Sequence, residues 1–337
     1  MFARRRATAA GTVATVLLVA LAAGCGGADS PRAGATTGSA RAAAGSPAPP
    51  QPVRLRLVAR RTLPAPVQLP AVAVVRGRLL AAGGLSAADS SVDSILAVAG
   101  PDVPAPRVVG RLPQPVHDAA AAGLGRDLLV LGGGSASGPV DAIVAAGPSG
   151  RTARVGRLPA PSSDIEAARV GGTVYVIGGF DGAAPSREVL AFTPGRPVRR
   201  AGLLPHALRY AAVASVGRRI LIAGGTDGSS AQADVVSFDP AGGRARVIGR
   251  LPEPLAHAAG AALGGRFYVL GGRGDAAADV RRSILSVDPA SGRVRVAGEL
   301  PAARSDAGAA SLAGRVWVIG GRDRSGAASA DAWMLGP

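Results

Sequence analysis

The residues best suited to chemistry recur at one position of a repeated pattern. A Leu-Pro pair marks each of six repeats, and the residues five and six positions beyond its leucine include carboxylates, histidines and an arginine. The six pairs at these positions are Gln68-Leu69, His117-Asp118, Ser163-Asp164, Arg209-Tyr210, Ala256-His257 and Ser305-Asp306. Brought together, such side chains could hold a polar ligand through several hydrogen bonds. A carboxylate beside a histidine or an arginine could also perform acid–base chemistry on a sugar.

The same residues have a purely structural interpretation. Short polar side chains at the start of a strand can satisfy loop amides without binding any ligand. The sequence leaves both interpretations open. The candidate ligand-binding residues are His117, Asp118, Ser163, Asp164, Arg209, Tyr210, His257 and Asp306, with Glu166 close behind them.

Other kinds of site find little support. The three histidines, His117, His206 and His257, are isolated in sequence, and no Cys/His set with metal-ligand spacing exists. The Gly-Gly pairs are not phosphate loops, because no lysine follows them and no helix is predicted after them. We therefore expect no metal, no cofactor and no catalytic residues.

The elements that must position the candidates repeat with the Leu-Pro pairs. These pairs begin at Leu63, Leu112, Leu158, Leu204, Leu251 and Leu300. Gly-Gly pairs begin at Gly83, Gly132, Gly178, Gly224, Gly271 and Gly320, always 20 residues after the leucine. The interval from the leucine to the Gly-Gly pair is fixed, whereas the rest of the repeat varies in length. This pattern predicts an array of supersecondary units, each with a rigid pair of strands followed by a loop that tolerates insertions.

Each repeat predicts four short strands. The first is rich in small residues, as in residues 210–217, and the second is strongly apolar, as in residues 173–177. The third ends at a proline, as in residues 234–240, and the fourth alternates with arginine, as in residues 244–247. Small side chains suit the crowded centre of a propeller, whereas charges on an outer strand oppose edge-to-edge pairing.

Residues 53–337 resemble the kelch family. The resemblance rests on the apolar strand, the Gly-Gly pair and the following motifs, which are Asp181-Gly182, Asp227-Gly228, Asp239-Pro240 and Asp288-Pro289. The family's tryptophan in the fourth strand is replaced by small residues such as Val198, Ala245 and Val294. We therefore expect looser packing at the outer edges of the blades.

The two ends of the repeat array indicate how the ring closes. The sixth repeat stops at Pro337 after its third strand, whereas residues 53–60 have fourth-strand character without a blade of their own. The prediction is an all-β fold: a six-bladed kelch-like β-propeller of four-stranded antiparallel blades, with residues 53–60 completing the last blade.

The N-terminal residues predict a membrane anchor. Three arginines at positions 4–6 precede an apolar stretch of residues 11–23, which is too short to span a bilayer comfortably. The following Ala22-Ala23-Gly24-Cys25 resembles a bacterial lipobox, which implies a signal peptide over residues 1–24 and a lipid on Cys25. Residues 25–52, rich in Ala, Gly, Ser and Pro, form the predicted tether. The predicted location is extracytoplasmic, lipid-anchored to the bacterial cell membrane.

The charge of the chain is basic but dispersed. Its formal net charge is +16, and every cationic side chain other than histidine is an arginine. Because the arginines are spread through all repeats rather than clustered, we expect no nucleic-acid partner. Non-specific attraction of the basic outer surface to anionic cell-envelope polymers remains an alternative function.

The sequence favours a monomeric, non-enzymatic binding module at the cell surface, with an unknown protein or carbohydrate bound at the channel mouth. Within the resemblance, six-bladed bacterial kelch propellers include sialic-acid mutarotases, so a carbohydrate-active enzyme of that type is the main alternative. Asp118, Asp164, Arg209, His257 and Asp306 could supply its acid–base groups. The shortage of aromatic residues, 3% of the chain, counts against a sugar site.

Overall fold

The computed structural model describes residues 52–337, whose regular elements are all β-strands. In chain order they are β1 (Arg56–Val67), β2 (Ala71–Val75), β3 (Arg78–Ala82), β4 (Val92–Ala99), β5 (Arg107–Val116), β6 (Ala120–Leu124), β7 (Asp127–Leu131), β8 (Gly134–Ser135), β9 (Gly138–Pro139), β10 (Ala142–Ala146), β11 (Thr152–Arg157), β12 (Glu166–Val170), β13 (Thr173–Ile177), β14 (Glu188–Phe192), β15 (Arg199–Leu203), β16 (Ala212–Val216), β17 (Arg219–Ala223), β18 (Asp234–Asp239), β19 (Arg244–Arg250), β20 (Ala259–Leu263), β21 (Arg266–Leu270), β22 (Ser283–Val287), β23 (Val294–Glu299), β24 (Gly308–Leu312), β25 (Arg315–Ile319) and β26 (Ser329–Gly336).

The repeats build four-stranded antiparallel units, the last of which is completed by β1. Four units are separate sheets, and the third and fourth units join into one eight-stranded sheet through a parallel bridge between Leu203 and Arg244. The innermost strands β2, β6, β12, β16, β20 and β24 contact one another in a closed ring. The small residues of these strands allow this close approach at the centre. The prediction of an all-β propeller of antiparallel blades is confirmed.

The N-terminal strand closes the ring. Strand β1 pairs antiparallel with β26, from Arg56 opposite Gly336 to Val67 opposite Ser329. The predicted closure by residues 53–60 is therefore present, although the strand itself begins at Arg56 and runs on through Val67. Prolines are tolerated within β1 because it is an edge strand. Ahead of the strand, the Leu55 amide donates to the Ala297 carbonyl at 2.7 Å, which ties the closing segment to the neighbouring blade.

The Gly-Gly pairs link each blade to the next. All twelve glycines have a positive φ. In every pair the second glycine's amide donates to a carbonyl at the point where the blade's outer strand leads into the innermost strand of the following blade, as Gly179 does to Leu208 at 2.8 Å. The first glycine packs so closely on that same carbonyl that a Cβ would collide with it. Gly321 makes the equivalent bond to Val67, the last residue of β1, which leads into the innermost strand of the first blade.

The N-terminal predictions fall outside the described residues. The signal peptide of residues 1–24, the lipidated Cys25 and all but the last residue of the predicted tether lie in residues 1–51. Within residues 52–337 no helix is long and apolar enough to cross a membrane.

Candidate functional site

The second residue of each candidate pair adopts a left-handed backbone. Leu69, Asp118, Asp164, Tyr210, His257 and Asp306 have φ values between 50° and 58°. This conformation is uncommon for residues other than glycine and is a source of local strain. Its recurrence in all six repeats shows that the sharp turn into the innermost strand is a property of the repeat. The turn directs these residues to the mouth of the central channel.

The first residue of each pair serves the blade itself. It forms an antiparallel bridge with the residue after the Gly-Gly pair, as Ser163 does with Phe180 and Ala256 does with Arg273. At the second position, amides donate to the preceding blade's carbonyl in a partial ring: Asp306 to His257 at 3.0 Å and His257 to Tyr210 at 2.9 Å. These bonds join backbone groups only, so the side chains of the second residues are left to face the channel.

His257 and Asp306 form the tightest polar contact of the site. Nδ1 of His257 lies 2.6 Å from a carboxylate oxygen of Asp306, and the Ser305 hydroxyl donates to the other oxygen at 2.5 Å. A guanidinium nitrogen of Arg273 lies 2.8 Å from Nε2 of His257. Burial raises the pKa of Asp306, but hydrogen bonds and charge from these neighbours outweigh it and bring that pKa below 3.8. Asp306 is therefore held as a carboxylate.

Tyr210 lies between the histidine and two carboxyl groups. Its ring stacks on that of His257, with 3.9 Å between the ring centroids and 24° between the planes. Its hydroxyl is in hydrogen-bonding reach of Asp118 and Asp164. Burial, reinforced by the two carboxyl groups, raises the pKa of Tyr210, so the hydroxyl stays protonated and available as a donor.

Arg209 holds Asp164 from the side. One guanidinium nitrogen of Arg209 donates to a carboxylate oxygen of Asp164 at 2.9 Å. The guanidinium also lies over the Phe180 ring, 4.7 Å from its centroid. These contacts fix Arg209 beside the cavity as a positioning residue and leave Asp164 to face the interior.

Burial raises the pKa values of two further acidic side chains of the site. Burial, with the charges of Asp164, Asp306 and Glu166, raises the pKa of Asp118 well above 3.8. Glu166 lies at the start of β12, inside the ring of innermost strands, and solvent reaches it through the channel. The surrounding strands nevertheless desolvate its carboxyl group, and this desolvation raises its pKa to about 8. At neutral pH Glu166 therefore holds a proton that it would lose in bulk water, so it can donate as well as accept hydrogen bonds.

The structure brings together five of the eight candidates. Asp118, Asp164, Tyr210, His257 and Asp306 line a cavity of about 80 Å³ at the channel mouth, together with Glu166 and apolar residues. The other three candidates, His117, Ser163 and Arg209, do not line it. His117 turns instead to Ser91, whose hydroxyl lies 2.8 Å from Nδ1, and burial lowers the pKa of His117.

Sequence reasoning did not include three residues that complete the network. Glu166 was noted beside the candidates but was not among them. Ser305 and Arg273 were not chosen, although Ser305 stands at the first candidate position and Arg273 follows the fifth Gly-Gly pair. Their positions in the repeat were the sequence feature from which they could have been predicted. Among residues 52–337, no cluster of three or more His, Cys, Asp or Glu side chains could hold a metal ion.

Comparisons with known proteins agree with this architecture. The kelch motif family matches residues 207–244, which include Arg209, Tyr210 and the fourth Gly-Gly pair. No curated protein matches the chain. The solved structure of YjhT is similar, with a TM-score of 0.72 at 15% identity over 82% of this chain and 96% of that chain. The likeness shows a β-propeller fold, and the family match identifies a kelch motif within the fourth repeat.

Proposed function

We propose that this protein is a binding module whose ligand enters the channel mouth. The observation that carries the proposal is the convergence of Asp118, Asp164, Tyr210, His257 and Asp306, one from each of five blades, on a single cavity. A strained turn aims each of them there, and a second layer formed by Arg209, Arg273 and Ser305 fixes three of them. Such supported side chains are typical of sites that recognise a defined chemical group.

The chemistry of the cavity favours a ligand rich in hydrogen-bond donors. Carboxyl groups dominate its polar lining, and the arginines nearest to it are engaged with Asp164 and His257. The volume of about 80 Å³ admits a small group rather than a whole drug-sized molecule. A protonated amine or a pair of hydroxyls, presented by a protein or a carbohydrate, meets both conditions.

A thermal-shift panel tests this proposal. The panel contains alkylamines, guanidinium compounds, neutral sugars, sialic acids and the simple anions acetate and sulfate, because a ligand that binds the folded state raises its melting temperature by mass action. Amines or polyols should raise the melting temperature, whereas acetate and sulfate should not. A panel in which simple anions give the largest shifts would contradict the proposed chemistry of the mouth.

A carbohydrate-active function is the second candidate. It is favoured by one observation: carboxyl groups with raised and lowered pKa values, Asp118 and Asp306, line the same cavity beside His257. A difference between the pKa values of two carboxyl groups in one site is typical of acid–base pairs. NMR exchange between the anomers of sialic acid, measured with and without the protein, tests it. Acceleration that Asp118→Asn removes would support an enzyme of the mutarotase type, and no acceleration would exclude this reaction.

The basic outer surface is a weaker basis for function. Several arginines of the outer strands are paired with acids on the neighbouring strand, such as Arg154 and Arg157 with Asp141 and Arg111 with Asp93. Their role in holding the outer edge reduces the charge available for anionic polymers. We therefore place recognition at the channel mouth.

We also propose that Cys25 carries the lipid that anchors the module outside the cytoplasm. The proposal rests on the lipobox-like Ala22-Ala23-Gly24-Cys25 sequence. Metabolic labelling of bacterial cells with an alkynyl palmitate should mark the wild-type chain but not a Cys25→Ser variant. Equal labelling of both chains would refute lipidation at this residue.

A further inference from the structure

One of the six hydrophobic clusters between neighbouring blades lacks aromatic residues. Five clusters contain Tyr, Phe or Trp side chains. The cluster between the first and second blades consists of Ala, Val, Leu and Ile alone. Since aromatic side chains bury the largest areas, their absence leaves this interface short of volume.

The small side chain of Ala146 accounts for part of this missing volume. It pairs with Leu128 at the end of β10, as Phe192 pairs with Val174 in the third blade and Phe238 with Ile220 in the fourth. The three residues thus occupy equivalent places in their blades.

In the third and fourth blades these phenylalanines pack against the preceding blade. Phe192 lies near Gly156 and Phe238 near Gly202, each a glycine of the outer strand of the preceding blade. Gly110 is the equivalent glycine of the first blade, and the methyl group of Ala146 cannot provide a ring to cover it. Ala146 therefore leaves open the space that a phenylalanine fills at the equivalent position of the third and fourth blades.

A cleft of about 470 Å³ occupies this interface. Its apolar lining comprises Val75, Leu80, Ile95, Ala97, Val109, Ala146 and Pro148. The volume lies within the range of about 300–1,000 Å³ that is typical of small-molecule sites. It is several times larger than the cavity of the channel mouth.

Four arginines, Arg76, Arg78, Arg107 and Arg126, line the same cleft. Arg78 is paired with Asp102, whose backbone carbonyl also accepts from Arg107 at 3.3 Å. Arg76 and Arg126 form no ion pair with any of residues 52–337. The cleft thus combines an apolar interior with unneutralised guanidinium groups, which bind carboxylates through paired hydrogen bonds.

We infer that this inter-blade cleft binds an aromatic carboxylate. The ring occupies the space that a phenylalanine fills in the third and fourth blades, and the carboxylate meets Arg76 and Arg126. The inference is independent of the channel mouth, because the two sites share no lining residue.

Titration calorimetry of the purified full chain with 2-naphthoate tests the inference. We expect one molecule to bind per chain, and 2-naphthalenemethanol, which lacks the charge, to bind at least about tenfold more weakly. Ala146→Phe should abolish binding by filling the cleft. Arg126→Gln should weaken binding about tenfold, since one charge-assisted contact contributes roughly 1.4 kcal/mol.

Arg218→Gln is the matched control. Arg218 occupies the same turn as Arg126 in the fourth blade, where Phe238 fills the interface, so its loss should leave binding unchanged. If Ala146→Phe does not fold, as judged by circular dichroism, the two arginine variants decide the question. No binding at millimolar naphthoate, equal binding of the neutral analogue, or equal effects of the two arginine substitutions would overturn the inference.

Discussion

At the scale of single residues, the channel mouth separates carboxyl groups by their surroundings. Asp306 has hydrogen bonds and a nearby cation that favour its charged form, whereas Asp118 and Glu166 have mainly desolvation and like charges. The pKa values consequently move in opposite directions, although all three belong to one site. This difference makes opposite pH dependences testable in single variants.

Replacing Glu166 should stabilise the protein only at higher pH. A folded pKa of about 8, against 4.5 in the unfolded chain, means that the folded state retains a proton that the unfolded state loses between these values. Stability therefore falls as pH rises through this window. Glu166→Gln should match the wild-type melting temperature near pH 4 and exceed it at pH 8. A constant difference across this range would show that Glu166 titrates normally.

Replacing Asp306 should have the opposite dependence. Its pKa lies below 3.8 in the folded state, so it contributes stability above that value, and this contribution is lost as pH falls through the folded pKa. Asp306→Asn should reduce the free energy of unfolding by about 1.5–3 kcal/mol at pH 7, the range for hydrogen bonds to charged groups. The loss should shrink below pH 4 in urea titrations. A loss that persists undiminished at low pH would argue against the charged hydrogen bond to His257.

At the scale of elements, the Gly-Gly pairs have two structural roles in each blade. They supply a backbone conformation that other residues adopt at a cost, and they allow close approach of a carbonyl of the chain that leads into the next blade. The close approach of the carbonyl distinguishes them from ordinary turn glycines.

Gly178 and Gly171 allow the two effects to be separated. Both have a φ of 60°, but a Cβ at Gly178 would collide with the Leu208 carbonyl, whereas one at Gly171 would meet nothing within 4 Å. Gly171→Ala should cost about 1–2 kcal/mol, the price of the left-handed backbone. Gly178→Ala should cost at least about 1–3 kcal/mol more, because the connecting segment that carries Leu208 must move away from the new methyl group. Equal losses in chemical denaturation would show that close approach is unimportant.

At the scale of the whole molecule, stability depends on joining the two ends of the chain. Leu55 is 2% exposed and packs with Trp333 and Leu335 of the last blade, whereas nearby Val58 is 47% exposed. Leu55→Asp should therefore lower the free energy of unfolding by more than about 3 kcal/mol, since it buries an unpaired charge. Val58→Asp should change it by less than about 0.5 kcal/mol. Comparable effects of the two substitutions would contradict ring closure through this segment.

The repeat pattern was sufficient to predict the fold and its closure. The constant interval between Leu63 and Gly83, repeated in every copy, reflects a rigid pair of strands, and such local regularity is visible in sequence. The left-handed turn at Asp118 or Tyr210 was not predictable in the same way, because it depends on contacts with neighbouring blades. The approach of Arg273 to His257 and the cleft beside Ala146 likewise depend on side chains from different repeats meeting in space.

The melting temperatures of the wild type and His257→Ala, measured against the same ligand panel, test most directly whether the channel mouth is the binding site. His206→Ala is the control, because His206 is partly exposed and does not line the cavity. Binding at the mouth predicts that an amine or polyol shift is retained in His206→Ala and lost in His257→Ala. Shifts that survive in His257→Ala, or the absence of any shift across the panel, would contradict this account.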